Sequence, residues 1–393
     1  MITILQVTPA YKPAYIYGGP TLSVSKLCEE LHKNNFKIKV LTSTANGNKE
    51  LHVKTNVLTK VAKVDVYYFL RLTKDNTHFT PTLLFNLIKM IKEDKLENPN
   101  KLVIHIHSWW NTISIFSCMI GLWYKIPVLL SPRGMLTTYT LKNRNSFYKY
   151  LIHQLLGKHL LKKCYLHVTT VKEKQDVHKT TDKYKGVNII PNFVEYPCFF
   201  HSNGRIEKQQ PIPIKLLFLS RIEEKKGLDL LIMSLPLLKI NWQLTIAGHG
   251  KPSYVKYLEQ LCQDLKLHQK INWIGAVNNI KKFEIIRKHD LFILPSYNEN
   301  FANVVIESLS VGTAVVVTKE VGLANYVLKH NLGWVTELSV KNIAHTINLA
   351  AGDYNKRDRI RKVAPKIIRK DYSEMGLIIQ YTNMYHQILK NVN

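Results

Sequence analysis

The sequence has few cysteines, few acidic residues and no long uninterrupted apolar run. Its five cysteines, Cys28, Cys118, Cys164, Cys198 and Cys262, are scattered with no Cys-x-x-Cys pair. That spacing argues against a disulfide framework and a cysteine zinc site, and reads as buried thiols in a reducing compartment. The most apolar stretch, residues 109–130, is interrupted by Asn111, Lys125 and Pro127. A membrane span needs about 20 predominantly apolar residues, so a buried helix followed by a buried strand is expected there instead. The opening MITILQVTP runs directly into apolar residues with no basic region before them. A first strand is therefore expected, and no signal peptide. The expected location is the cytoplasm.

Acidic residues are the main shortage. Against 55 Lys and Arg stand 28 Asp and Glu, a formal net charge of +27. Between Glu97 and Glu173 there is no acidic residue, while Lys101, Lys125, Arg133, Lys142, Arg144, Lys149, Lys158, Lys162, Lys163 and Lys172 fall in that stretch. Such a field favours polyanions: an anionic membrane, a lipid diphosphate or a nucleic acid. The plainer alternative is a lysine-rich surface with no specific partner.

What is present is alternation. Short β-rich runs at 2–7, 37–41, 64–69, 102–106, 128–131, 166–169 and 187–190 are separated by longer helical patterns. The same holds for 215–220, 243–247, 271–274, 291–295 and 314–317. Many of these runs are continuously apolar, as parallel strands covered on both faces must be. The expected class is α/β with doubly wound sheets. Residues 196–213 break the pattern with Pro197, Asn203, Gly204, Pro211 and Pro213, which marks a linker. An N-terminal domain of residues 1–195 and a C-terminal domain of residues 214–375 are expected, with ligands beyond the carboxyl ends of the strands and a cleft between the two sheets.

Four segments carry candidate chemistry. In SYNENFANVVIESLSVGTAVVVT (296–318), Glu299 follows a strand end and Glu307 lies about one turn into a helix expected to start near Asn303, a suitable N-cap. First-turn amides near Val304 and Val305 suit phosphate, and carboxylates suit pairs of hydroxyls. A lone pair of glutamates is more often solvated surface. Here Glu307 leads into a very apolar strand, where an unpaired charge is expensive. In LFLSRIEEKKGLDLLI (217–232), Arg221 follows a strand directly and Lys226 precedes Gly227 at a helix start, with Lys225 an open alternative. Two cations there can neutralise a diphosphate leaving group and so favour a transition state. In YIYGGPTLSVSKLCEEL (15–31), Gly18 and Gly19 allow close backbone approach at a helix N-terminus. The run is not G-x-G-x-x-G, which argues against a dehydrogenase. In HIHSWWN (105–111), His105 and His107 share one face of a strand; satisfied core histidines are an equal alternative.

With these segments in view, the sequence resembles the GT-B retaining glycosyltransferases of family 4 over nearly its whole length. The most specific match is the E-x7-E pattern of Glu299 and Glu307. It is joined by SRIEEKKG, YGG, SPRGM (131–135), VTTVKEK (168–174), IIPNFV (189–194) and TIAGHG (245–250). The resemblance implies two Rossmann-like domains facing across a cleft, with the last segment, 376–393, packing back on the first. It implies that Arg221 and Lys226 hold the donor diphosphate and Glu307 the ribose. Glu299 would contact the transferred sugar, beside backbone groups of Phe301 and Ala302. Asn303, Val304, Gly248, Gly18 and Gly19 would line the donor, His107 would lie near the reacting sugar, and Arg133 would contact the acceptor. Retention without a metal ion or other cofactor is implied too. Two departures stand out: Asn300, Phe301 and Ala302 replace a common Gly-Phe-Gly run, and Phe193 replaces a common glycine. Both bear on donor-sugar identity.

The expected activity is sugar transfer from a nucleotide-diphosphate sugar to a cell-envelope glycan such as lipopolysaccharide, O-antigen or exopolysaccharide, carried on a lipid. Segment 142–163 mixes Phe147, Leu151, Leu155 and Leu160 with six basic residues. It suits the inner face of an anionic membrane; a covered helix with a basic edge is the alternative. A sugar-nucleotide 2-epimerase would share the donor features and need no acceptor. A nucleic-acid-binding protein would share the charge, but no nucleic-acid motif is present, and no nucleic-acid partner is expected.

Overall fold

The computed structural model describes all residues except 76, 99, 143–145, 182, 196, 198–212 and 392–393. The expected linker at 196–213 and Cys198 fall almost wholly outside the described residues. The chain divides into two compact units, Met1–Phe193 with Glu374–Asn393, and Val194–Ser373.

The first unit is built on strands β1 (Thr3–Thr8), β2 (Lys37–Ser43), β3 (Ala45–Asn46), β4 (Lys49–Glu50), β5 (Leu58–Val61), β6 (Val64–Phe69), β7 (Leu102–His107), β8 (Val128–Ser131), β9 (Tyr165–Val168) and β10 (Gly186–Ile189). Eight of them form one sheet in the order β10-β9-β8-β7-β1-β2-β6-β5, with β3 and β4 paired separately. All neighbours in that sheet run parallel except β5 on β6. Strands β1 and β7 are buried at every position, because helices cover both faces. Period-two alternation divides the side chains between two cores. Leu5, Val7, Leu102, Ile104 and Ile106 join the core under helices Pro81–Glu97 and Thr112–Trp123. Ile4 and Val103 join the opposite core, with helix Gly19–Lys33 and the last helix, Glu374–Lys390. Leu377, Tyr381, Met384, Tyr385 and Ile388 of that last helix are buried there.

Helix Thr112–Trp123 corrects one expectation. Its inner side is buried, but Phe116, Met119 and Trp123 lie on its outer side, and Trp123 is 83% exposed. The four cysteines that are described, Cys28, Cys118, Cys164 and Cys262, are buried and unbridged.

The second unit has strands β11 (Ile214–Leu219), β12 (Trp242–Ala247), β13 (Ile271–Gly275), β14 (Leu291–Leu294), β15 (Ala314–Thr318) and β16 (Gly333–Thr336). They form a parallel sheet in the order β13-β12-β11-β14-β15-β16. Chain direction reverses its spread at the β11/β14 boundary, the switch point where doubly wound sheets bind ligands. In the first unit the corresponding boundary is β1/β7. Strands β3, β4, β5 and β16 were not expected from the sequence. β5 and β16 lie at sheet edges, where lysine and glycine dilute the apolar signal.

Candidate active site

In the second unit, β11 and β14 lie side by side, so the loops leaving their carboxyl ends meet. Glycines allow the loops at this end of the sheet to pack closely. Gly227 has φ +69°, and a Cβ on it would stand 2.0 Å from the Pro295 carbonyl oxygen at the end of β14. Gly248, after β12, would place a Cβ 1.8 Å from the Ser220 carbonyl oxygen. No larger residue fits either position without moving backbone.

The packed loops bring Lys226 into an ion pair with Glu299, 73 residues further along the chain. Lys226 is the inward cation, its side chain 11% exposed against 40% for Lys225, although burial also pushes the Lys225 ammonium down. Burial alone would push the Glu299 carboxyl up. Lys226, Lys225 and Arg221 around it outweigh that and hold it below the usual carboxylate range. Its backbone is pinned by Glu299 N–H to Glu320 O (3.2 Å) and Gly322 N–H to Glu299 O (2.8 Å). Arg221 donates from Nη1 to Glu223 Oε1 at 2.5 Å. Glu223 is thus a further member of the loop.

Glu307 is buried on helix Asn303–Ser310 and accepts from Lys282 Nζ at 2.8 Å. Lys282 comes from helix Asn279–Lys288 and was not anticipated. The helix cap differs from expectation: Asn303 is the first helical residue, and Ala302 is the N-cap in the left-handed region at φ 63°, ψ 71°. The Val305 amide donates to Ala302 O at 2.9 Å. It is therefore spent, which leaves Asn303 and Val304 as the preceding first-turn residues. The Phe301 side chain is buried against Tyr372 with ring centroids 6.1 Å apart, so only its backbone is free to serve a ligand.

A left-handed alanine costs about 1–2 kcal/mol, and glycine there costs some unfolded-state entropy. Ala302→Gly is therefore expected to stabilise the protein by about 0.5–1 kcal/mol. A urea midpoint that falls would show that the alanine methyl matters more than the backbone strain.

In the first unit, Gly18 (φ 63°) caps the 15-residue helix that Gly19 opens. On β7, His105 and His107 share the face of Val103, as strand alternation requires, with ring centroids 4.2 Å apart. Both are buried in a polar network. Gln6 Oε1 can only accept, so His107 Nε2 carries the proton (2.7 Å) and Nδ1 accepts from Arg133 Nη2 at 3.3 Å. The Ile190 carbonyl fixes the next direction. His167 Nε2–H donates to it (2.9 Å), so His167 Nδ1 accepts from Ser131 (2.6 Å), Ser131 accepts from His105 Nε2–H (2.7 Å), and His105 Nδ1 accepts from the Tyr385 hydroxyl (2.7 Å). Arg133, at φ 54°, also donates to Asn192 Oδ1 and to Ser23 Oγ (3.4 Å). Burial, the neighbouring histidines and Arg133 hold His107 well below the ordinary histidine value. His107 is therefore a neutral interior residue in this structure, joined directly to Arg133.

Two family models match the chain. The one described as Glycosyl transferases group 1 covers residues 203–367, and the one described as Glycosyltransferase Family 4 covers residues 17–196. The chain belongs to glycosyltransferase family 4. Among relatives of this glycosyltransferase is an uncharacterized glycosyltransferase of Methanocaldococcus jannaschii, 31% identical over 174 residues, 43% of this chain and 44% of that one. Another is the N,N'-diacetylbacillosaminyl-diphospho-undecaprenol alpha-1,3-N-acetylgalactosaminyltransferase of Campylobacter jejuni, 27% identical over 220 residues, 53% of this chain and 54% of that one. The matches thus span about half the length of these curated relatives. Among solved structures, sucrose-phosphate synthase of Thermosynechococcus elongatus superposes with a TM-score of 0.76 at 16% identity over 100% of both chains. Anabaena HepE, in complex with UDP and glucose, gives 0.74 at 17% identity over 98% of this chain and 100% of that one. These likenesses establish the GT-B fold of this family 4 glycosyltransferase.

Proposed function

We propose that this glycosyltransferase moves a sugar from a nucleoside-diphosphate sugar to a lipid-linked glycan acceptor of the cell envelope, with retention of anomeric configuration and without a metal ion. The observation that carries the reading is the cluster at the β11/β14 switch point: Arg221, Lys226 and Glu299 together, with the Lys282–Glu307 pair on the helices before and after β14. As the bond from the sugar to the diphosphate breaks, negative charge grows on the leaving phosphate. Fixed cations at Arg221 and Lys226 stabilise that state more than the bound donor. Glu299 is kept ionised by the same cations and accepts from a sugar hydroxyl. Glu307 accepts from the ribose. In the first unit, the helix N-terminus at Gly18 and Gly19 and the Arg133 side chain are the candidate binding groups. HepE in complex with UDP, and the diphospho-undecaprenol in the name of the Campylobacter relative, support a nucleotide-sugar donor and a lipid-linked acceptor.

The test is incubation of a nucleotide sugar with and without a lipid-linked acceptor, with EDTA present, followed by NMR of the product anomer. Acceptor-dependent product with the donor's configuration is expected. Release of an altered nucleotide sugar from donor alone would instead establish the 2-epimerase reading.

An anionic membrane is the proposed partner of the first unit. Helix Ser146–Ile152 and the turns after it expose Phe147 (70%), Tyr150, Leu151, Ile152 and Leu155 (74%), followed by Lys158, Lys162 and Lys163. Leu160, by contrast, is buried, and no helix among the described residues is long and apolar enough to cross a membrane. Vesicles containing phosphatidylglycerol are expected to bind the protein at low salt. Phe147→Ser with Leu155→Ser should weaken binding about tenfold. Equal binding to neutral vesicles would refute the charge argument.

A further inference from the structure

The Lys282–Glu307 pair is more than a neutralised buried charge. Lys282 is 8% exposed and Glu307 7%. Glu307 Oε1 takes one Nζ–H of Lys282 at 2.8 Å. Among the described residues no other donor reaches the Glu307 carboxylate, and no other acceptor takes the remaining N–H groups of Lys282. The Lys282 ammonium also lies 4.9 Å from the centroid of the Phe283 ring, which leaves its donors uncommitted. The pair thus presents, side by side and almost fully buried, one unused acceptor oxygen and two unused donors.

An enclosed ammonium with idle donors is costly unless water or a ligand uses them. The group that satisfies both partners at once is a hydroxyl, which donates one proton and accepts through its lone pairs. A phosphate would be repelled by the carboxylate, and an amine by the lysine. A carboxylate acting alone reads only the proton of a hydroxyl.

We propose that Lys282 and Glu307 form a two-sided reader of the ribose 2'-hydroxyl, in which Glu307 Oε2 accepts its proton and Lys282 Nζ donates to its oxygen, so that the enzyme selects ribonucleotide over 2'-deoxyribonucleotide donors. This rests on the reading of Glu307 as the ribose-binding carboxylate. It adds Lys282 as the specificity-determining residue. A 2'-deoxy sugar removes both partners of the reader and leaves a buried acceptor and a buried donor unpaired, the situation in which polar sites discriminate most.

The test measures dissociation constants by titration calorimetry for UDP, GDP and ADP, each against its 2'-deoxy counterpart. Wild-type protein, Lys282→Met, Lys282→Gln and Lys282→Arg are compared, and circular dichroism melts confirm that each is folded. Wild type is expected to prefer the ribonucleotide at least tenfold. Lys282→Met should reduce that preference to threefold or less with diphosphate binding retained, and Lys282→Arg should recover part of it. If Lys282→Met does not fold, Lys282→Gln carries the comparison, with an intermediate preference expected. A preference unchanged in the folded Met or Gln variant overturns the role of Lys282 while leaving the donor site standing. No binding of any diphosphate to wild type overturns the donor site itself.

Discussion

Lys226→Met is expected to lower turnover by about two to three orders of magnitude, the usual loss when one preorganised stabilising group is removed. Two effects combine. The growing charge on the leaving diphosphate loses its most enclosed cation, since Lys226 is the least exposed of the three cations in the β11 loop. Glu299 also loses its direct partner. Removing one member of a buried pair costs roughly 3 kcal/mol of stability, softened here because Lys225 and Arg221 still act on Glu299. The Glu299 carboxyl then titrates at higher pH. Its contribution to folding, present above the unfolded carboxylate value and lost as pH falls through the depressed folded value, disappears at a less acid pH than in wild type. Turnover and the acid limb of the pH profile should therefore change together. Intact turnover in folded Lys226→Met would remove the cation from the mechanism. Arg221→Ala should cost similar activity with a smaller loss of stability, because the Arg221–Glu223 pair is more exposed.

The second large effect is acid lability of the first unit. His105, His107 and His167 are buried, neutral and either hydrogen-bonded to one another through Ser131 or in tilted ring contact. Burial pushes all three down, with Arg133 adding to it, His167 to about 3. The unfolded chain protonates the same residues near pH 6.5. Below that pH the unfolded state binds more protons than the native state, so stability falls as pH falls, from about 6.5 down towards 3. Each histidine contributes up to about 1.4 kcal/mol per pH unit, and three give roughly 4. By about pH 5 the loss reaches up to roughly 6 kcal/mol, a large part of a stability of roughly 5–15 kcal/mol. Urea melts from pH 7.5 to 5 should show that slope, and His167→Phe should reduce it by about a third. Melts that superpose across this range would mean that the network holds protons readily.

Much of this was legible in the sequence, for reasons visible in individual residues. Strands such as LVIHIH and IKLLFL are apolar enough to reveal themselves, and Arg221, Lys226 and Glu299 sit in the loops that leave strand ends, where sheet topology concentrates ligand contacts. Lys282 was not legible. It lies in IKKF beside Lys281 on a lysine-rich helix, and only the fold brings it to Glu307, 25 positions away. Glu223 looked like an ordinary turn residue. The inward course of His107 was hidden too, because its partners Gln6 and Arg133 come from elsewhere in the chain, and the neighbouring His105 and His167 are held by Tyr385 and Tyr381 of the last helix. The left-handed backbone at Ala302 could be seen only in three dimensions, since alanine gives no sign of it.

The proposed transfer requires a nucleoside diphosphate held by the second unit at Arg221 and Lys226. Calorimetric titration of UDP, GDP and ADP into wild type and into the folded Arg221→Ala, Lys226→Met double variant tests that directly. Saturable binding of at least one diphosphate to wild type, weakened a hundredfold or more in the double variant, is the predicted result. Equal affinity in both proteins would contradict it.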